Sequence, residues 1–406
     1  MKFNFVTRFV FFIFCICSVF SCASKSNVDK LSFGQNSETV FAEQLNEDVF
    51  IVCFVFSCAS KSNIDKMSSV EISETISAEN LNEDIFVFEN ISDVKEKVDN
   101  KFASGISFSE VWGYLLDGRE KEILPAINSV TDIGYFGAGL NTFGKLVGVP
   151  NPNKLKKTIS NAKEKFKGNI HLVIVDNSRS LTHFCLNPKY DVRKELIDDI
   201  VNSAKSFDGV QIDFELVSNQ DEEHYLSFLK ELKKRLPNKI LSVAIPARTK
   251  TLQKDAYHYE KINQIVDRII VMAYDEHWAT SKPGPVASIK WCKNVMNYAL
   301  SVLPAEKLVM GLPFYGRGWN TDDTAGAYRH PSIEKLQNSH QITQILREND
   351  IPSFEITKEV TYKFYYDDLY SLVSRMEMYK NSGVKNIGFW RLGQEETAVW
   401  EYIKTK

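Results

Sequence analysis

The chain has 406 residues, 44% hydrophobic and 25% charged, with a formal net charge of −3 and a pI of about 6.2. That balance excludes the basic footprint of a nucleic-acid protein, and the length leaves room for a one-domain α/β barrel of about 250–300 residues. Seven cysteines (15, 17, 22, 53, 58, 185 and 292) form no CxxC pair and no zinc spacing with histidine. Cys185 and Cys292 sit in apolar surroundings and read as small buried hydrophobes.

Residues 1–21 read as a lipoprotein-type signal peptide. Lys2 and Arg8 give a positive start, and Phe9 to Phe20 is an apolar run too short to span a bilayer comfortably. It ends in Val19-Phe20-Ser21-Cys22-Ala23-Ser24, which resembles a bacterial lipobox, although Phe20 is large for its position. The resemblance implies that Cys22 is lipidated and heads a mature chain anchored to a membrane of the cell envelope. Plain secretion and a retained anchor are the alternatives.

Residues 22–100 read as an acidic, low-complexity tether expected to be disordered. Residues 19–50 recur as residues 55–86, with an offset of 36 and 22 of 32 positions identical. The second copy lacks a basic start, so Cys58 reads as a passenger. From Ala23 to Asn100 there are 15 acidic and 6 basic residues, a net charge of −9, with no sustained period. Such a segment cannot bury enough apolar area to offset its ordering entropy. The apolar run Val49–Phe56 is the exception, suited to a membrane surface or to the barrel.

Residues 101–406 have a different texture, with short apolar strands alternating with amphipathic helices. The predicted strands are Val111–Leu115, Asp132–Gly137, Ile170–Val175, Gly209–Glu215, Ile240–Ile245, Arg268–Tyr274, Leu308–Leu312 and Asn386–Trp390. Between the fourth and fifth, Tyr225, Phe228, Leu229, Leu232 and Leu236 mark one helix face, stopped by Pro237 and Asn238. Eight such units predict a (β/α)₈ TIM barrel. A small insertion is expected between strands seven and eight, roughly Trp319 to Phe364.

Along the fourth strand, Gln211, Asp213 and Glu215 share one face and Val210, Ile212 and Phe214 the other. The apolar set suits the helix layer, which sends the polar set inward and Glu215 to the carboxyl end, where barrel sites lie. Carboxylates two residues apart lie about 6.5–7 Å apart at Cα, close enough for their heads to meet. Sharing a proton would raise one pKa and keep a carboxylic acid protonated near neutral pH, as a general acid facing a glycosidic oxygen requires.

The segment Asp208-Gly209-Val-Gln-Ile-Asp213-Phe-Glu215 resembles the DGxxxDxE motif of glycoside hydrolase family 18. Further motifs follow in that family's order: WGYL with Tyr114, VMAYDEHW with Met272, Tyr274, Asp275 and Trp278, GLPFYGRGW with Tyr315 and Arg317, and GFWRLG with Trp390. The match spans about residues 108–400, and YDEHW followed by PGPVAS is similar to the spore-cortex and peptidoglycan N-acetylglucosaminidase subgroup. The resemblance implies substrate-assisted retention. Glu215 would protonate the leaving oxygen, Asp213 would orient the sugar's 2-acetamido group, and Tyr274 would hold its oxygen. Gln211, Trp390, Asp275, Tyr114, Met272, Tyr315, Arg317 and Trp278 would bind substrate, with Asp208 and Gly209 structural.

Gln211 stands where most chitinases carry Asp, which predicts an altered acid limb of the pH profile and favours the cell-wall branch. Expected partners are an N-acetylated polysaccharide and, through Cys22, a membrane, with the enzyme monomeric. No metal, cofactor or nucleic acid is expected. A chitinase or a glycoprotein-directed endoglycosidase is the rival substrate reading, and a non-catalytic lectin the rival of another class.

Overall fold

A computed structural model describes residues 86–320, 325–357 and 361–405. Eight parallel strands form the centre: β1 (Glu110–Leu116), β2 (Asp132–Leu140), β3 (Asn169–Asp176), β4 (Gly209–Phe214), β5 (Ile240–Pro246), β6 (Arg268–Met272), β7 (Leu308–Pro313) and β8 (Asn386–Trp390). Each pairs with the next, and β8 returns to β1, so the sheet closes into the expected (β/α)₈ barrel.

Alternation along the strands separates two cores. Val210, Ile212 and Phe214 belong to the large layer between strands and helices, whereas Trp112, Tyr114, Phe136, Val173, Ala244, Ile270 and Val309 fill the interior. Register holds this arrangement. A one-residue slip of β4 would exchange its two faces, and each buried aliphatic or aromatic side chain is worth about 1.5–3 kcal/mol. The helix predicted from Tyr225 to Leu236 forms over Glu222–Arg235.

Two boundaries differ from the sequence reading. The described elements begin at Phe86, inside the stretch assigned to the tether. Phe86–Asn90 is a strand pairing antiparallel with Gln344–Glu348, followed by a helix over Asp93–Phe102. Val94, Val98 and Phe102 make a narrow stripe four residues apart that is buried, Lys97 lies 3.8 Å over the Tyr370 ring, and Glu89 pairs with buried Arg347. Only three apolar residues carry that helix, and the last lies past the assigned boundary. The rest of the tether, the duplicated segment's first copy, Val49–Phe56, Cys22 and Cys58 lie outside the described residues.

The insertion starts at Tyr315, four residues before the expected Trp319. Its strands Tyr315–Trp319, Ala325–Arg329, Gln344–Glu348, Ile351–Thr357 and Thr361–Tyr365 join Phe86–Asn90 in one six-stranded sheet. The motif GLPFYGRGW therefore straddles β7 and the insertion, which brings Tyr315 and Arg317 to the barrel mouth.

Candidate active site

Strand β4 places Gln211 and Asp213 in the barrel interior, and Glu215 stands half-buried one residue past its end. Asp213 is 5% exposed and its Oδ1 has no hydrogen-bond partner among the described residues. Burial first, and the neighbouring Glu215 charge second, raise the Asp213 pKa well above the carboxylate range. Glu215 is raised as well, by burial and then by the charge of Asp275. The two carboxyls thus interact through charge, with no hydrogen bond joining them among the described residues.

Gln211 is 1% exposed and donates from Nε2 to Ser242 Oγ at 3.2 Å. Its Nε2 is thus tied to the neighbouring strand, while its Oε1 is buried without a partner among the described residues. Asp208, at the strand entry, accepts from the Ile170 amide at 2.9 Å. Gly209 is needed for space, because a Cβ there would lie 2.2 Å from Nδ1 of His171. That ring packs against Trp112, with centroids 4.3 Å apart, and bonds Asp132 at 2.8 Å.

Above this floor, Trp390 is half-buried, with its ring centroid 4.7 Å from Phe136 and 5.7 Å from Tyr114. Met272 packs against the same interior cluster. Tyr274 lies two residues past the end of β6, and Gly311 on β7 makes room for its ring, since a Cβ there would meet Cε1 at 2.9 Å. Burial, with negative groups around it, raises the Tyr274 pKa and keeps the phenol protonated.

Asp275 has a left-handed backbone, φ +60°, a conformation that non-glycine residues adopt rarely and Asp more readily than most. Its Oδ1 accepts from Tyr315 at 2.5 Å and from Nη2 and Nε of Arg317 at 2.7 and 3.2 Å. Three donor groups meet on one oxygen, so these residues hold one another. Trp278 is 50% exposed on the following loop. That loop is folded on itself: Glu276 accepts from the Ser288 amide at 2.7 Å, and His277 Nδ1 lies 2.8 Å from the Pro285 carbonyl. Glu276 and His277 therefore serve the loop, and among the described residues no group of three His, Cys, Asp or Glu is placed to hold a metal.

Two residues at the site gave no sequence signal. Tyr257, after β5, bonds backbone groups on both sides of Glu215, and such contacts leave no spacing signature. Asp176, at the end of β3, accepts the Glu215 amide on its carbonyl at 2.9 Å. Burial pushes the Asp176 carboxyl up to about 6, opposed by backbone bonds from Ser178 and Asn177.

The profile of glycosyl hydrolases family 18 matches residues 125–395. The chain belongs to glycosyl hydrolase family 18. The family 18 chain is 26% identical over 230 residues to the cortical fragment-lytic enzyme of Bacillus anthracis, covering 52% of the chain and 53% of that protein. It is 26% identical over 293 residues to the cortical fragment-lytic enzyme of Bacillus subtilis (strain 168), covering 67% and 66%. It spans about half to two thirds of the length of these curated relatives. In fold it matches the crystal structure of the Bacillus cereus spore cortex-lytic enzyme SleL, with a TM-score of 0.65, 24% identity and coverage of 74% and 76%. The chain is thus a member of this family with a TIM-barrel fold.

Proposed function

We propose that this family 18 glycosidase cleaves β-linked N-acetylglucosamine bonds of peptidoglycan with retention, using the substrate's own acetamide as nucleophile. The observation that carries the reading is the pair on β4: Asp213 buried with an unpartnered oxygen, and Glu215 half-buried at the mouth with its pKa raised. A raised pKa keeps Glu215 protonated for delivery to the leaving oxygen. Asp213 takes the acetamide N–H on its free oxygen and steadies the oxazolinium, while the Tyr274 phenol donates to the acetamide oxygen. Trp390 offers its face to the sugar ring, and Glu215 returns as base to activate water. The names of the cortex-lytic relatives, and Gln211 in place of the usual Asp, favour the cell wall over chitin.

Glu215→Gln should lower turnover by about 10²–10⁴-fold while binding persists. Wild-type release by this variant would overturn the mechanism. A thiazoline analogue of N-acetylglucosamine should bind tightly to the enzyme, and a lectin would ignore it. Mass analysis of products from purified peptidoglycan and from chitin oligomers decides the polymer: faster turnover of chitin would move the assignment there.

We also propose a monomer held at the envelope by a lipid on Cys22. Cys22→Ser should abolish fatty-acid labelling and release the protein from membranes. Retention of label by that variant would refute the anchor.

A further inference from the structure

Among the described residues, no side-chain hydrogen bond fixes the carboxyl of the half-buried Glu215, so its placement depends on its backbone. One phenol oxygen brackets that backbone. Tyr257 donates to the Phe214 carbonyl at 2.6 Å and accepts from the Val217 amide at 2.9 Å. The residue before Glu215 and the residue two after it are thereby tied to the same atom. On the opposite side, the Glu215 amide itself is bound to the Asp176 carbonyl at 2.9 Å.

The bracket is itself braced. Tyr257 is buried, and its ring stands edge-on to Tyr225, with centroids 6.0 Å apart. Its amide donates to Asp255 Oδ1 at 3.1 Å. Asp255 is buried and takes two bonds from Arg248, at 2.8 and 3.1 Å, a fork geometry that lysine cannot reproduce. Farther along the same loop, the Tyr259 hydroxyl donates to the Pro246 carbonyl at 2.8 Å. The loop after β5 is thus a rigid strut running from the barrel wall to the turn that carries Glu215.

We propose that Tyr257 is a positioning residue for the general acid, with Arg248 and Asp255 as its support. This inference rests on the assignment of Glu215 as the acid. Its phenol satisfies a carbonyl and an amide that would otherwise draw water into the turn. It also fixes the direction in which the carboxyl leaves the backbone. A misplacement of about 1 Å at such a group can lower a rate about 10²-fold.

The test uses the full chain and a pair of aryl N-acetylglucosaminides, one with a good leaving group and one with a poor one. A good leaving group departs with little help from an acid, so a positioning defect should show selectively on the poor one. Tyr257→Phe is expected to lower kcat about 10–100-fold on the poor leaving group and less than about 5-fold on the good one, with KM within about 2-fold. The alkaline limb of its pH–rate profile should move down, because a hydrated turn weakens the burial that raises Glu215. Arg248→Lys should give the same signature at smaller amplitude, and it guards against a folding defect in the first variant. Equal loss on both substrates, or a wild-type profile for both variants, would overturn the proposal. Glu215→Gln is run beside them. If it is inactive while Tyr257→Phe behaves as wild type, the bracket fails and the acid assignment stands. If it is active, the acid assignment fails and the bracket falls with it.

Discussion

The two ends of the barrel treat buried aspartates in opposite ways. At the amino-terminal end Asp132, 2% exposed, is held by His171 at 2.8 Å, Asn169 at 2.9 Å and Thr131 at 2.7 Å. Burial pushes its pKa up, but these bonds outweigh it and the carboxyl sits below its ordinary value. Nearby, Glu110 pairs with Arg268 at 3.0 Å and also accepts from Trp112. Toward the mouth Asp213, 5% exposed, has comparable burial and an oxygen without a partner among the described residues, and its pKa is raised. Burial alone therefore does not decide the state of a carboxyl; the partners do. Carboxyls at the bottom are held by several partners, whereas Asp213 Oδ1 at the top has none among the described residues.

The sharpest way to break this contrast is Asp213→Asn. An amide cannot carry the charge that would stabilise a cationic intermediate, so turnover should fall about 10²–10³-fold. Stability should move the other way. The folded-state pKa of Asp213 lies above its unfolded value, so the folded chain holds the extra proton and wild-type stability declines as pH rises above about 4. Asn removes that decline, and the variant should melt about 2–4 °C higher at pH 7, with the gap closing toward pH 4. A lower melting temperature at pH 7 would contradict the assigned environment.

Asp132→Asn should reverse the pattern. It leaves His171 without its charged partner, at about 1–3 kcal/mol of stability, with little change in kcat. Because the Asp132 pKa is lowered on folding, its contribution is present above about pH 4 and lost as pH falls through the folded value. Urea unfolding at pH 7 and pH 3 reads both arms: the variant should trail the wild type at the first and approach it at the second. Arg317→Lys probes a weaker link at the mouth. One ammonium cannot match the two guanidinium contacts on Asp275, so kcat/KM should fall about 10-fold with the melting temperature nearly unchanged.

The barrel was legible because short apolar strands recur eight times, and β4 was legible because Asp208, Gly209, Asp213 and Glu215 stand together in one segment. What escaped detection depends on distance along the chain. Asp275, Tyr315 and Arg317 were each singled out as sugar contacts, but their joining at a single oxygen depends on where the insertion leaves β7. Strand alternation puts Gln211 on the face of Asp213, while the depth that lets its amide reach Ser242 is set by the closed barrel. The strand at Phe86–Asn90 hid in acidic sequence because its partner, Gln344–Glu348, lies more than 250 residues away.

Trp278 tests the least protected part of the mouth. Half exposed, it hydrogen-bonds among the described residues within its own loop, to Thr280 at 3.1 Å through Nε1 and to Ser281 at 3.0 Å through its amide. Nothing in the core depends on its ring, so Trp278→Ala should leave the melting temperature unchanged. If the ring stacks on a sugar of the bound strand, its loss removes about 0.5–1.5 kcal/mol of binding, which is about 2–10-fold in KM. The effect should grow with oligomer length and vanish on a single-sugar aryl glycoside, because a short substrate cannot reach past the cleaved bond. An equal change on both would place Trp278 beside the reacting sugar, and no change on either would remove it from the cleft.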